Sequence, residues 1–159
     1  MVTSEKFREV MGNFATGITV VTTRAKDGQV HGLTANAFTS VSLDPLLILV
    51  CFDNRFSGLD QFRAAGKFAV SFLSESQEDM SRLFAKGGTE RPESLYFAGP
   101  AGQPVLRNSL AYLECETSDV FPGGDHQIVV GRVVSGDTIE ARNGVKPILY
   151  FRGKYQRIS

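Results

Sequence analysis

Short runs of β-branched and apolar residues recur along the chain and are separated by turn residues. Residues 18–24 are rich in Val and Thr, residues 46–53 form a continuous apolar run, and residues 67–74 alternate between apolar and polar types. Runs of this length with these boundaries are typical of β-strands. They predict a sheet that begins at Ile18, with a hairpin at Asp27-Gly28 because Asp-Gly favours a tight turn.

Three other segments carry apolar residues at helical spacing. In residues 4–14, Phe7, Val10, Met11 and Phe14 share one face, and residues 57–65 and 75–86 show the same periodicity. Ser4 is a candidate N-cap, and Gly66 and Gly87 are stop signals. The pattern predicts three short amphipathic helices.

In the second half of the chain, the sequence pattern predicts one irregular region followed by β-strands. Residues 87–108 are rich in Gly and Pro and predict a long irregular connection. Strands are predicted over 111–120, 127–134 and 147–156, with turns at 122–124, 135–137 and 143–144. Six or seven strands joined mostly by short turns favour a mainly β fold, an antiparallel barrel or closed sandwich, over a parallel α/β sheet. The length of 159 residues suits one domain spanning 1–159.

Composition narrows the possible partners and location. Seventeen basic and seventeen acidic residues cancel and are scattered, which argues against nucleic acid as a partner. The charged N-terminal segment lacks the apolar core of a signal peptide, and the longest apolar run, residues 46–52, is too short to span a bilayer. We therefore expect a cytoplasmic protein. Cys51 and Cys115 lie in strand-like segments, where we expect buried thiols and no disulfide.

Familiar catalytic motifs do not occur in the sequence. His31 and His126 are the two histidines, and neither stands at metal-ligand spacing from cysteines or carboxylates, so no metal site is expected. The chain has no nucleophile elbow, no phosphate-binding Gly-Lys-Ser loop and no GxGxxG fingerprint. These absences argue against the usual hydrolase and Rossmann chemistries.

Two stretches hold more polar chemistry than a barrel requires. "GLTANAFTSVSLDP" contains five hydrogen-bonding side chains, those of Thr34, Asn36, Thr39, Ser40 and Ser42. Small and polar residues in a strand suit a flat heteroaromatic ligand, although an ordinary solvent-facing strand gives the same pattern. "FPGGDHQIVV" places His126 after two glycines, where a histidine serves more often as a surface turn residue than as a functional one.

Five blocks of the sequence, in order, resemble one protein family. They are "MGNFATGITVVTT", "GLTANAFTSVSLDPLLILVCFDNRF", "FAVSFLSESQEDMSRLFA", "GGDHQIVVGRV" and "PILYFRGKY". Together they are similar to the short flavin reductases of two-component monooxygenases, from about residue 7 to residue 155. The resemblance implies an FMN-binding split β-barrel of the antiparallel Greek-key type, and a homodimer whose contacts come from residues 7–14 and Phe121.

The resemblance also implies the reaction. The enzyme would take hydride from NADH or NADPH, reduce FMN or FAD, and supply the reduced flavin to a partner monooxygenase. Hydride transfer between nicotinamide and flavin is chemistry of the cofactors themselves, so the protein mainly aligns them, and a missing acid, base or nucleophile is expected. The sequence does not distinguish FMN from FAD or NADH from NADPH.

By the same resemblance, site residues fall into four groups. The flavin ring contacts are Thr34, Ala35, Asn36, Ser40, Val41 and Ser42. The residues flanking the flavin are Cys51, Phe52, Asp53 and Asn54, with Arg55 and Ser57 toward its phosphate. Phe84 matches a Phe-Ala pair of the family. Asp125 and His126 belong to a Gly-Asp-His element, in which His126 takes the catalytic position beside the nicotinamide without needing to accept a proton.

Two other classes of protein remain as alternatives. One is an enzyme similar to pyridoxamine-phosphate oxidases or deazaflavin-dependent proteins, and the other is a non-catalytic flavin- or haem-binding module. The Gly-Asp-His element favours the reductase over the first. Loss of NADH-dependent turnover with retained flavin binding in a His126 variant would separate the reductase from the second.

Overall fold

A computed structural model describes residues 1–87, 91–139 and 144–159. The helices are α1 (Ser4–Met11), α2 (Leu59–Ala65) and α3 (Glu78–Ala85), and a 3₁₀ turn spans Glu93–Leu95. The strands of the first half are β1 (Thr16–Gly17), β2 (Thr19–Arg24), β3 (Val30–Ala35), β4 (Phe38–Leu43), β5 (Leu46–Asp53) and β6 (Lys67–Phe72). Those of the second half are β7 (Tyr96–Ala98), β8 (Pro104–Leu106), β9 (Ala111–Gly123), β10 (His126–Thr138), β11 (Ile148–Phe151) and β12 (Lys154–Arg157).

Seven strands form one antiparallel sheet in the order β3-β2-β6-β9-β10-β5-β4. Its two edge strands, β3 and β4, follow each other in the chain and are separated by Asn36 and Ala37. A connection of two residues between opposite edges requires the sheet to curl, and β3 accordingly contacts β5. The mainly β, antiparallel fold predicted from the sequence is confirmed, and the curled sheet is consistent with a split barrel.

The core lies on both faces of this curled sheet. One cluster contains Val21, Val50, Phe52 and Phe68, and the other contains Ile18, Val20, Leu73, Phe84 and Tyr96. Residues of β2 enter both clusters, so residues Thr19–Thr23 are all buried. The hydroxyls of Thr19 and Thr23 donate to the carbonyls of Ala35 and Lys67, each at 2.6 Å, which satisfies these polar groups inside the core.

All three predicted helices exist, but each is shorter than predicted. Helix α1 is capped by the side chain of Thr3 rather than Ser4 and ends at Met11. Helix α2 ends at Gly66 as predicted, with the left-handed backbone (φ 63°) that glycine adopts easily. Helix α3 covers Glu78–Ala85. No residue of α1 is buried, so its apolar face points to solvent in the single chain.

The prediction of an irregular connection over 87–108 is wrong for most of its length. After the 3₁₀ turn, β7 and β8 form a hairpin. Its turn is held by the fully buried carboxylate of Glu114, which accepts hydrogen bonds from the N–H groups of Ala101 and Gln103, both at 2.9 Å. Because this partner comes from β9, local sequence alone did not reveal the hairpin.

Two predicted turns and one predicted strand also differ from the structure. Strand β10 continues through 135–137 without a turn. Gly136 allows close packing there, because a Cβ at this position would lie 2.7 Å from the Leu113 side chain. Residues 147–156 form a hairpin that turns at Arg152-Gly153, both with positive φ. The turn predicted at 122–124 lies at Gly124-Asp125. The turn predicted at 143–144 falls partly outside the described residues.

Within the part of the chain that the structure describes, no helix is long and apolar enough to cross a membrane. Cys51 and Cys115 are both free thiols. Strand β10 lies between the strands that carry them, β5 and β9, which keeps the two thiols apart.

Candidate functional site

The polar stretch between Thr34 and Ser42 is two strands, not the single strand that the sequence suggested. Strand β3 ends at Ala35 and β4 begins at Phe38, with exposed Asn36 and Ala37 between them. Both strands lie at sheet edges, where one row of main-chain N–H and C=O groups has no neighbouring strand. These edges are therefore places where main-chain groups can bond a ligand.

A groove of about 610 Å³, the central groove, runs between β3, the end of β5, the loop before α2 and the end of α3. Five of the predicted site residues line it, and they are Thr34, Asp53, Arg55, Ser57 and Phe84. The structure thus brings together three separate segments of the chain, at residue 34, at residues 53–57 and at residue 84.

The wall of the central groove is fixed by contacts between α3 and β3. The hydroxyl of Thr34 donates to the carbonyl of Ser81 at 2.6 Å. Phe84 is 2% exposed and packs so closely on Gly32 that a Cβ there would lie 2.7 Å from its ring. The guanidinium of Arg91 also lies over the Phe84 ring, 4.2 Å from its centroid. This packing leaves Phe84 little freedom to move.

Asp53 and Arg55 form an ion pair at the mouth of the groove. The Asp53 carboxylate accepts hydrogen bonds from the main-chain N–H of Arg55 at 2.8 Å and from its Nε and Nη2 at 3.1 and 2.8 Å. These bonds hold the pKa of Asp53 well below its usual range, with the Arg55 side chain as the largest cause. Asp53 is therefore ionised, and the Arg55 side chain, 90% exposed, remains accessible to a ligand.

His126 begins β10 and lies opposite Asp53 in the pairing of β10 with β5. Its Nδ1–H donates to the Asp125 carboxylate at 2.7 Å, and this bond is the largest cause of a lowered pKa for Asp125. Asn54 secures the hairpin tip. Its side chain donates to the Gly124 carbonyl at 3.3 Å and accepts from Gln127 Nε2 at 2.8 Å.

The remaining predicted residues do not line the central groove. Ala35 and Phe52 are buried in the core at 7% and 1% exposure, so a flavin can meet them only through main-chain groups. Burial raises the pKa of the Cys51 thiol, which lies in β5 beside them. Ser40, Val41 and Ser42 lie farther along β4, around a shift in its register with β5. Asn36 is exposed in the connection between the two edge strands.

Sequence reasoning missed several residues that shape the site. Phe56 and Gly87 line the central groove, Gln127 bonds Asn54, and Arg91 stacks on Phe84. Phe56 and Gln127 are direct neighbours of predicted residues in the "FDNRF" and "GDHQ" blocks, so their positions offered a signal. Arg91 gave none, because it lies in the segment that was predicted to be irregular.

The family model described as "Flavin reductase like domain" matches residues 11–159. The chain is 39% identical over 150 residues to the NADH-dependent flavin reductase StyB of Pseudomonas fluorescens, covering 94% of this chain and 86% of that protein. It is 38% identical to the reductase subunit HsaB of a flavin-dependent monooxygenase from Mycobacterium tuberculosis, over 96% and 81% of the two chains. It is 40% identical to a probable flavin reductase of Rhizobium meliloti, covering 93% of this chain but 47% of that longer protein.

Solved structures give the same result. The fold is similar to that of the flavin reductase PheA2, with a TM-score of 0.88, 39% identity and 99% of both chains covered. It is also similar to the NADH:FAD oxidoreductase SgcE6 of Streptomyces globisporus, in complex with NAD and FAD fragments, with a TM-score of 0.89, 32% identity and coverage of 100% and 96%. The chain therefore belongs to the flavin reductase family, which includes the reductase components of two-component monooxygenases.

Proposed function

We propose that this flavin reductase binds FMN or FAD in the central groove, takes hydride from NADH or NADPH placed beside His126, and supplies reduced flavin to a separate monooxygenase. The observation that carries the proposal is the convergence of Thr34, Asp53 and Phe84 on one groove, with His126 paired opposite Asp53. When both are bound, the nicotinamide and the flavin would supply the hydride transfer themselves, and the residues of the groove would hold and align them.

The central groove has the dimensions and chemistry that a flavin requires. Its volume of about 610 Å³ lies within the range of pockets that enclose ligands of this size. Phe56, half-buried, and Ala85, exposed, supply apolar surface, and Thr34 and Ser57 supply hydroxyls. The edge strand β3 adds main-chain groups for the polar edge of the ring. Residues of two kinds, apolar for the face and polar for the edge, thus meet in one cavity.

Arg55 is the residue best placed to hold the flavin phosphate. Its Nε and Nη2 are engaged by Asp53, which orients the guanidinium and leaves Nη1 for a phosphate oxygen. Ser57, two residues on, lines the groove and has an exposed side chain. These two residues would position the ribityl phosphate while the ring lies toward Thr34.

His126 is a positioning group for the nicotinamide. Because Nδ1–H donates to Asp125, Nε2 is the ring atom left to meet the nicotinamide carboxamide. The ties from Asn54 to Gly124 and Gln127 fix the turn that carries the ring. The protein therefore lowers the barrier by alignment, with no proton transfer required of His126.

Two further parts of the proposal concern assembly. A homodimer would cover the exposed apolar residues Phe7, Phe14 and Phe121, which are 59%, 72% and 52% exposed in the single chain. A separate monooxygenase would receive the reduced flavin. A reducing compartment such as the cytoplasm suits the two free cysteines.

A His126→Ala variant tests the proposal, with Asp119→Ala on the same hairpin as the matched control. We expect NADH-dependent reduction of FMN at subsaturating NADH to fall at least about tenfold, the effect of losing one to two hydrogen bonds, while the Kd for FMN stays within about twofold. Unchanged turnover would contradict the role of His126. Loss of FMN binding as well would place His126 in the flavin site instead.

A further inference from the structure

Ser81 connects the central groove to the C-terminal hairpin β11–β12. It lies on α3 and is fully buried. Its main-chain carbonyl accepts the hydroxyl of Thr34, which lines the groove, at 2.6 Å. Its side-chain Oγ lies 2.9 Å from the hydroxyl oxygen of Tyr155 on β12, and the two form a hydrogen bond. One buried serine thus links a residue of the groove to a tyrosine that lies outside it.

The bond to Ser81 determines what the Thr34 hydroxyl can offer a ligand. A threonine hydroxyl has one hydrogen to donate, and that of Thr34 is used on the Ser81 carbonyl. Toward a ligand in the groove, the Thr34 oxygen therefore accepts hydrogen bonds and does not donate them. The polar edge of an oxidised flavin ring carries several acceptors and one N–H, so the direction of this hydroxyl decides which of these groups Thr34 can bond.

The C-terminal hairpin also contacts α3 through charged side chains. The guanidinium of Arg82 lies over the Tyr155 ring, 4.7 Å from its centroid, and donates to Glu78 at 3.1 and 2.8 Å. Arg157 of β12 lies 3.7 Å from the other oxygen of Glu78. Both arginine side chains are exposed, so water screens these ion pairs and they stabilise weakly. The hydrogen bond of Tyr155 to the buried Ser81 is therefore the polar contact that fixes α3 most firmly to the hairpin.

Tyr150, on the same hairpin, differs from Tyr155 in its hydroxyl. The two tyrosines pair across β11 and β12, and their ring centroids lie 5.7 Å apart in an edge-to-face arrangement. Both rings pack against the core cluster that contains Phe84. The Tyr150 hydroxyl has no hydrogen bond to any described residue, whereas the Tyr155 hydroxyl bonds Ser81. The two rings thus share a packing role, and the hydroxyl of Tyr155 adds a contact to α3.

We propose that Tyr155 is a positioning residue of the flavin site. Its hydroxyl holds Ser81, and through Ser81 it keeps the Thr34 hydroxyl directed at α3, so that Thr34 meets the flavin as an acceptor. The inference rests on the proposed position of the flavin in the central groove. Because Tyr155 acts through Ser81 and Thr34, its hydroxyl should affect the affinity for flavin and leave the binding of the nicotinamide nucleotide unchanged.

The test measures the Kd of FMN by quenching of flavin fluorescence, in wild type, Tyr155→Phe and Tyr150→Phe. Each substitution removes one hydroxyl from the same hairpin and keeps the ring, so Tyr150→Phe is the matched control. We expect the Kd to rise about three- to tenfold in Tyr155→Phe, the effect of losing one hydrogen bond, and to stay within about twofold in Tyr150→Phe. The KM for NADH, measured with saturating FMN, should stay within about twofold in both variants.

Double variants separate positioning of Thr34 from a general loosening of the fold. Ser81→Ala removes the other partner of the hydrogen bond and should raise the FMN Kd by about the same factor, and it provides the test if Tyr155→Phe does not fold. Adding Tyr155→Phe to Ser81→Ala should raise the Kd no further. In Thr34→Val, which lacks the hydroxyl, Tyr155→Phe should likewise have no further effect on the Kd, because the residues act as one coupled chain.

An unchanged FMN Kd in Tyr155→Phe would overturn the inference and leave the proposed function intact. The same rise of the Kd in Tyr150→Phe would also overturn it, since the hydrogen bond to Ser81 would then not be the cause. An equal effect of Tyr155→Phe in the wild-type and Thr34→Val backgrounds would overturn it as well, because Tyr155 would then act on the fold as a whole. A wild type that binds no flavin would count against the proposed function itself.

Discussion

The main-chain N–H of Asn54 donates a hydrogen bond to the carbonyl of Asp125 at 3.0 Å. With the side-chain bond from Asn54 to Gly124, this ties the end of β5 to the tip of the β9–β10 hairpin. Asp53, the residue before Asn54, lines the central groove, and His126 follows Asp125. The groove and the histidine are thus held in one fixed relationship.

Asn54→Ala should loosen the turn that carries His126. Removing the side-chain bonds to Gly124 and Gln127 costs about 1 kcal/mol each, so we expect the KM for NADH to rise about five- to tenfold with kcat changed far less. The FMN Kd should stay within about twofold. Asn13→Ala, whose side chain bonds Arg152 and Glu9 instead, is the matched control. A loss of FMN affinity equal to the rise in KM would show direct flavin binding by Asn54.

Acid should weaken the fold through Asp53. Its folded-state pKa is lowered, so the unfolded chain binds more protons in acid, and the stabilisation is complete above its ordinary value of 3.8 and lost as pH falls through the folded value. Urea unfolding of wild type and Asp53→Asn should therefore differ at pH 7 and converge below about pH 4. Asp60→Asn, on the surface of α2, controls for loss of a carboxylate. If wild type exceeds Asp53→Asn in free energy of unfolding by more at low pH than at pH 7, the lowered pKa of Asp53 is contradicted.

Gly32→Ala should distort the groove wall. The new Cβ would lie 2.7 Å from the Phe84 ring, and overpacking of this kind costs about 1–3 kcal/mol of unfolding free energy. We expect a lower urea midpoint and weaker flavin binding, because Phe84 must move. Gly17→Ala is the control, since its Cβ would have nothing within 4 Å. Equal urea midpoints and equal flavin affinities for the two variants would mean that the Phe84 ring can move aside without cost, which would contradict this prediction.

Phe7→Glu should disrupt the proposed homodimer without unfolding the chain. No residue of α1 is buried, so a charge on its apolar face leaves the core untouched. Sedimentation velocity should give a dimer for wild type and for Glu5→Gln, a charge change on the opposite side of α1, and a monomer for Phe7→Glu. A dimer that survives Phe7→Glu with the same Kd would place the interface elsewhere.

The sequence predicted correctly those elements whose determining residues lie within the element itself or next to it. The alternation in β6, the apolar run of β5 and the stop at Gly66 all act over a few residues, and these elements lie where the sequence put them. The β7–β8 hairpin was missed because its turn depends on Glu114 from another strand. The strand at Gly136 was read as a turn because glycine serves there for close packing.

For the site, the resemblance indicated the segments but not their depth in the fold. It named Phe52 and Ala35 together with Thr34 and Asp53, yet alternation along a strand turns the first pair into the core. The break at Asn36 and Ala37 was also invisible, since it depends on the curl of the whole sheet. Arg91 became recognisable only once its stacking on Phe84 was seen.

Anaerobic reduction of free flavin tests the central claim most directly. A small amount of protein is mixed with excess FMN or FAD, NADH or NADPH is added, and bleaching of the oxidised flavin absorbance is followed against a sample without protein. We predict bleaching over many turnovers, so that the flavin reduced far exceeds the protein present. Flavin that binds but is not bleached by either nicotinamide would contradict the account and leave a flavin-binding protein without reductase activity.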